Sequence, residues 1–298
     1  MSSIAVLMST YNGEKFIAKQ LESIAKQTCI ADVKLYIRDD GSSDNTELVV
    51  DLFKDKIDIT FIKGSNKGPA RSFWNLLEDD RIKADYYAFC DQDDIWDPDK
   101  LEIAVSFLKD NVDLYACNCR SIDSDDHIIE YERRKKAPFI SIDALFVSGI
   151  TQGCAMVFTD NLRNQIRKLK ILTIPMHDLI ICIYALCYGK LAWDEKPHFS
   201  YRFHGNNVVA KDKKNKFINI FDTVAKWKMY NNEMMYVAQE LLDNNLYLDS
   251  EIQEFLHLVA EYKYSIMSKI KLLLWKNIRK CDIRSLWAFY GKVIINIL

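Results

Sequence analysis

Tyr86-Tyr87-Ala88-Phe89-Cys90-Asp91-Gln92-Asp93-Asp94-Ile95-Trp96 is the stretch that decides the fold. Five apolar residues, enough for a strand, stop at three carboxylates within four positions. A strand buried in an α/β domain shows as such an uninterrupted apolar run, and ligands bind just beyond its carboxyl end. Asp91 and Asp93 have one residue between them, so on an extended chain they point the same way. Like charges this close repel unless a cation lies among them. Hard oxygen donors suit Mg²⁺ or Mn²⁺, which bridges protein carboxylates and substrate phosphates. Taken alone, the same letters also describe a solvated acidic turn with an Asp capping the next helix.

Working outward, two earlier apolar runs end in a similar way. Residues 4–8 run into Ser9-Thr10-Tyr11-Asn12-Gly13, and residues 33–37 run into Arg38-Asp39-Asp40-Gly41-Ser42-Ser43-Asp44. Helical spacing covers 14–27, 46–54, 69–78 and 98–109, with further strands at 57–62, 85–90 and 114–118. This alternation predicts a doubly wound, mostly parallel α/β sheet. All three loaded strand ends then share one edge, where open α/β sheets bind ligands. The first strand is followed by neither Gly-x-Gly-x-x-Gly nor a Walker lysine, so dinucleotide and P-loop sites lack their phosphate cradle.

The second half is less regular. Residues 119–150 are polar, with Arg133-Arg134-Lys135-Lys136, and predict a loop-rich insertion. Residues 148–158 regain strand character, with Gly149 and Gly153 as places of close approach. A helix is expected over 161–170. Pro175-Met176-His177-Asp178 opens an apolar helix, so His177 and Asp178 sit at its amino end, where an acid is favourable as a cap in any case. A short strand at 191–193 precedes Tyr201-Arg202-Phe203-His204-Gly205-Asn206-Asn207. There a cation and an imidazole two residues apart could meet a diphosphate and a metal.

Composition bounds the rest. A chain of 298 residues is one large domain, or one with an appendage. A net charge of −2 implies no nucleic-acid partner. The eight cysteines form no Cys-x-x-Cys pair and read as small buried hydrophobes of a reduced, cytosolic protein. Met1-Ser2-Ser3-Ile4 begins no secretory signal. No uninterrupted apolar stretch reaches the ~18 residues a spanning helix needs.

With these residues together, the chain resembles glycosyltransferase family 2, and within it the bacterial rhamnosyltransferase-like members that build surface polysaccharides. Ser9–Gly13, Arg38–Thr46, Asn66-Lys67-Gly68-Pro69-Ala70, Asp91–Trp96, Gly153-Cys154, His177-Asp178 and the 201–207 stretch fall in that family's order over about residues 4–210. The resemblance implies a GT-A fold, an activated nucleotide-sugar donor, Mg²⁺ or Mn²⁺, and inversion at the anomeric carbon. It implies a GT-A domain over 1–213, with a nucleotide-sugar half at 1–118 and an acceptor half at 119–213, and a C-terminal helical extension at 214–298.

Carried over residue by residue, Thr10, Tyr11 and Asn12 resemble part of the nucleotide pocket. Asp40 is similar to the acid that meets the pyrimidine base, and Asp39 to its supporting neighbour. Asp91 matches the acid facing ribose or metal, Asp93 the metal ligand, and Asp94 a residue holding the loop. Arg202 resembles a diphosphate contact and His204 a further metal or diphosphate contact. Asp178 matches the catalytic base, and Trp96, Gly153, Cys154 and His177 fall on the acceptor side. A sugar hydroxyl is a poor nucleophile and needs one carboxylate to take its proton, which suits direct displacement. The chain departs from the pattern at His177, where an acid is usual, and at Phe203. The Gln-x-x-Arg-Trp of processive synthases is absent, which favours transfer of single sugars.

The implied donor is dTDP-rhamnose, or on the same fold a UDP-hexose; the implied acceptor is a glycan or lipid-linked glycan. A catalytically silent partner that binds nucleotide or glycan would not need Asp91, Asp93 and Asp178 together. The implied place is the cytoplasm, with peripheral contact at the plasma membrane. Residues 262–298 carry eight Lys or Arg against one acid, interleaved with apolar residues. That basic amphipathic pattern suits an anionic membrane surface, and equally a helix pair packed on the domain or a homodimer contact.

Overall fold

The first apolar run lies inside β1 (Ser2–Thr10), where Ile4 to Met8 are at most 1 % exposed. A strand covered on both faces needs no alternation of apolar and polar side chains. The structure, a computed structural model, describes residues 2–109, 111–204, 233–244 and 246–298. After β1 come α1 (Ile17–Ala25), β2 (Ala31–Asp39), α2 (Thr46–Asp51), β3 (Asp58–Lys63), α3 (Pro69–Glu78) and β4 (Tyr86–Asp91). This is the expected alternation, and β3, β2, β1 and β4 lie side by side and parallel.

Beyond β4 the sheet is mixed. β5 (Ile95–Trp96), α4 (Lys100–Leu108), β6 (Leu114–Ile122), β7 (Ile128–Glu130), α5 (Ile142–Leu145), β8 (Met156–Thr159), α6 (Asp160–Arg167), α7 (His177–Tyr188) and β9 (Leu191–Arg202) follow in order. β8 runs antiparallel between β4 and β6, and β9 is parallel to β6 on the other side. Four expectations are corrected here. The strand expected over 148–158 begins only at Met156, and Gly153–Ala155 is a 3₁₀ turn. Gly149 has open space where a Cβ would stand, so it marks no close approach. The short strand expected at 191–193 continues to Arg202, because a register shift absorbs Glu195 and Lys196 between the pairs Cys117–Asp194 and Asn118–Pro197. The polar 119–150 insertion likewise contributes the end of β6, β7 and α5.

The residues group into two units. One comprises Met1–Ala137, Thr151–Arg167 and Tyr188–Asp212, and among the described residues it holds every strand. The other comprises Pro138–Ile150, Lys168–Cys187 and Lys213–Leu298. The tail is therefore grouped with two segments that the resemblance assigns to the acceptor half. Its described helices are α8 (Glu233–Asp243), α9 (Ser250–Glu261), α10 (Ile266–Leu273) and α11 (Ile283–Ile294). Residues 214–232 of the expected extension lie outside the described residues.

In this second unit, Phe255 packs against Phe146 and Trp275 with centroids 5.4 and 5.5 Å apart. Trp275 Nε1 donates to Asp143 at 2.8 Å, so the half-buried indole has its polar atom satisfied. Asp249, Ser265 and Asp282 cap α9, α10 and α11 by accepting backbone N–H bonds. Among the described residues no helix is long and apolar enough to cross a membrane.

Candidate active site

The parallel register puts the three loaded strand ends on one edge of the first unit: Thr10 pairs with Asp39, and Ser9 with Asp91. The two acids after β2 are bound from within. Asp39 accepts from the Thr10 hydroxyl at 3.0 Å, from Ser42 N at 2.9 Å and from the Ser42 hydroxyl. It thus ties Ser42 of the following loop to the end of β1. Asp40 is 3 % exposed and pairs with the buried guanidinium of Arg38. It also accepts from Lys67 N at 2.9 Å and Gly68 N at 2.8 Å. Asp40 therefore shapes the 64–68 loop that would flank a base. Gly68 has φ +79°, open to glycine, and Pro69 starts α3 behind it.

The loop after β1 is held from two sides. Asn12 Oδ1 accepts from Ser43 N at 2.8 Å, and Asn12 N donates to Ser42 Oγ at 2.9 Å. Gln92 accepts from Tyr11 N and donates to Tyr11 O, both at 3.0 Å. A Cβ on Gly13 would stand 2.2 Å from Gln92 Oε1, so this clamp needs glycine there. The Tyr11 ring is left about half exposed at the mouth of the edge.

The third strand end differs. Asp91 and Asp93 are half-buried and Asp94 is fully buried. Asp94 Oδ1 accepts from Arg202 N at 3.1 Å, which holds the loop as expected, while Oδ2 has no hydrogen-bond partner. Burial, and then the charges of Asp93 and Asp91, raise the Asp94 carboxyl well above its usual range. His204 Nε2 lies 2.6 Å from Asp93 Oδ2, so residues 111 apart in sequence meet at this loop. Ligating atoms of Asp91, Asp94 and Cys154 lie within 4.8 Å of one another. An orphaned buried oxygen among carboxylates, with an imidazole beside them, fits a hard divalent cation such as Mg²⁺ or Mn²⁺. The Cys154 thiol is the ill-suited member, since burial keeps it protonated.

Several expected residues lie deeper than a ligand contact would need. Arg202 is fully buried. It donates from Nε to Asp93 O at 2.8 Å and from Nη1 to Asp123 O at 3.0 Å, pairs with Asp126, and lies over the Phe16 ring. It braces the acidic loop from beneath, and a diphosphate could reach it only by exchange of these bonds. Trp96 and Cys154 are 2 % and 0 % exposed, and Gly153 is buried too. These three form the inner wall of the loop rather than a surface for an acceptor. Gly205, Asn206 and Asn207 lie outside the described residues.

The second unit carries the other two. His177 and Asp178 occupy the first turn of α7, as expected. Asp178 is half-buried, and its Oδ1 accepts from Leu179 N at 2.7 Å. Burial lowers His177 to about 3, so the ring is neutral. Three contributors take no role from the sequence: Gln92 and Arg38, which lie within the quoted motifs, and Lys100. Lys100 is fully buried, with Nζ 3.9 Å from the Trp96 ring centroid. A lysine directly after Pro98-Asp99 reads as an ordinary exposed helix start, whereas Arg38 beside two acids at a strand end is a visible cue for a buried pair.

The profile of "Glycosyl transferase family 2" matches residues 5–165, the segment that supplies all three strand ends. The chain belongs to this family. Among curated relatives of this family 2 glycosyltransferase is the dTDP-rhamnosyl transferase RfbG of Shigella flexneri, 31 % identical over 259 residues, covering 80 % of this chain and 86 % of the relative. Among solved structures, residues 1–349 of S. aureus TarS in complex with UDP-GlcNAc superimpose with a TM-score of 0.62 at 16 % identity, over 99 % of this chain and 82 % of that one. The mannosyltransferase PcManGT from Pyrobaculum calidifontis, in complex with GDP-Man and Mn²⁺, gives a TM-score of 0.57 at 15 % identity, over 98 % and 87 %. At these identities the two structures establish the GT-A fold of this glycosyltransferase.

Proposed function

We propose that this family 2 glycosyltransferase moves L-rhamnose from dTDP-rhamnose to a hydroxyl of a glycan or lipid-linked glycan, with inversion. The observation that carries the chemistry is the meeting of Asp93 with His204, two residues past Asp91, whose strand end pairs beside the loop after β1. The choice of sugar is supported by the similarity to the dTDP-rhamnosyl transferase over most of both chains.

In this reading the nucleotide lies along the edge formed by Thr10, Tyr11, Asn12, Asp39 and Asp40, with Asp91 toward the ribose. Asp93 and His204, with Asp91 beside them, would hold the cation. A bound Mg²⁺ or Mn²⁺ supplies positive charge where the diphosphate leaving group develops its negative charge. Asp178 takes the proton of the acceptor hydroxyl as its oxygen bonds to the anomeric carbon. The bond from that carbon to the diphosphate oxygen breaks in the same displacement, and nucleoside diphosphate departs. One carboxylate base and no second one as nucleophile gives inversion. Arg202 keeps the acidic loop in place from below. A lipid-linked acceptor would set this work at the cytoplasmic face of the plasma membrane.

A donor panel with Mn²⁺ tests the proposal. Nucleoside diphosphate release is expected with dTDP-rhamnose, and its loss in Asp178→Asn with an unchanged melting temperature. Release only with UDP-glucose or UDP-galactose would move the assignment to a UDP-hexose transferase. Stabilisation by non-nucleotide ligands alone would end the transferase reading.

A further inference from the structure

α11 carries two apolar stripes where a surface helix normally carries one, and α10 beside it leaves most of its apolar residues outside. On α11, Leu286, Phe289 and Val293 recur at i, i+3 and i+7 and are buried. Ile283, Trp287, Tyr290 and Ile294 recur at i, i+4, i+7 and i+11, a second stripe on a different face. Of these, Ile283, Trp287 and Ile294 are 64, 67 and 60 % exposed, and Tyr290 is half-buried. On α10, Ser268 and Leu272 face inward, while Ile266, Met267 and Ile270, with Leu274 just after the helix, stand out in solvent. Lys269 joins the two helices: its Nζ donates to Ile294 O at 3.4 Å and to Asn296 Oδ1 at 2.6 Å.

The charges around these stripes have one sign. Lys271, Lys276, Arg279, Lys280 and Arg284 are all exposed, and Asp282 is the only acid from 262 to 298. Asp282 is spent on the cap of α11, where it accepts from Arg284 N and Ser285 N. Trp287 and Tyr290 meet edge to face at 6.2 Å on the exposed side. Amphipathic rings beside lysines and arginines match the boundary between lipid headgroups and acyl chains. A second copy of the chain would bring the same basic rim against itself, and like charges directly opposed are unfavourable.

From this we infer that the exposed face of α10 and α11 docks on an anionic lipid bilayer, with Ile266, Ile270, Ile283, Trp287 and Ile294 entering the headgroup layer. The basic residues bind lipid phosphates around them. The surface belongs wholly to the second unit and uses no residue of the donor edge.

Sedimentation of the full chain with vesicles tests it. Vesicles of phosphatidylcholine with phosphatidylglycerol are expected to pellet the protein, and phosphatidylcholine alone to leave it in solution. Added salt lowers the bound fraction. The Trp287→Ser, Ile283→Ser double variant is expected to cut partitioning at least ~10-fold. Lys271→Glu with Arg284→Glu should cut it by a similar factor. All four positions are exposed, so melting temperatures should stay unchanged, as should nucleoside diphosphate release with a water-soluble acceptor. The inference is overturned if wild type stays in solution with the anionic vesicles. It is also overturned if light scattering shows a dimer that Trp287→Ser dissociates while vesicle binding is unaffected. Failure of sugar transfer with every donor would leave vesicle binding as it is, so the two proposals fail separately.

Discussion

The strand ends after β2 and β4 look alike as letters and differ as chemistry. Each is a buried apolar run followed by acids. After β2, Asp39 and Asp40 are met by a threonine, a serine, an arginine and three backbone N–H groups. Those carboxylates serve as scaffolding, with their hydrogen-bond partners supplied inside the protein. After β4, Asp94 Oδ2 is buried without a hydrogen-bond partner, and Asp93 Oδ2 meets the imidazole of His204. Here one buried carboxylate oxygen is left for a further partner. Internal donor supply, more than the presence of acids, separates a wall of a pocket from a site that calls for a cation.

The largest expected break in this comparison is on the β4 side. Asp93→Asn, with Asp178→Asn beside it, should lower turnover by roughly 10²–10⁴-fold with little change in melting temperature. Nucleoside diphosphate release and a thermal shift with Mn²⁺ measure both, and only Asp93→Asn should lose the Mn²⁺ shift. On the β2 side the cost should fall on stability. Asp40→Asn leaves the Arg38 guanidinium buried without its counter-charge and should destabilise by about 3 kcal/mol. Urea unfolding reads this, and Arg38→Met added to Asp40→Asn should recover part of it.

His177 gives a third, pH-dependent test. Its folded value of about 3 lies below the ordinary 6.5. The unfolded chain therefore binds the extra proton in that interval. The stability contributed by neutral His177 is complete above the unfolded value and is lost as pH falls toward the folded one. At about pH 5 the loss should be about 2 kcal/mol, and His177→Leu should flatten that acid limb in melts taken against pH. The smallest effect belongs to the clamp. Gln92→Ala should raise the donor KM by about 5-fold, the worth of about one hydrogen bond, with kcat less affected.

The parallel half was legible because β1 and β4 are covered on both faces and its helices keep their apolar period. The Asp39–Asp40 and Asp91–Asp94 ends could be found for the same reason. β8 and β9 were not, because their pairing is settled elsewhere. Glu195 and Lys196 break the pattern of β9, yet a bulge against β6 removes them from the register. Arg202 lies in a motif that suggested a ligand contact, but only the tertiary fold reveals that Asp93 O, Asp123 O and Asp126 engage it. The Gln92–Tyr11 bonds span 81 positions and depend on a middle residue that the acidic motif leaves free to vary.

Those two bonds also make the loop after β4 and the loop after β1 one lever. Gln92 stands between Asp91 and Asp93 and grips both backbone polar groups of Tyr11. A cation that draws Asp91 and Asp93 together must carry Gln92, and with it Tyr11 at the mouth of the edge. Cation and nucleotide then report on each other, and linkage makes the report symmetrical: whatever factor the metal gives the donor's affinity, the donor returns to the metal's.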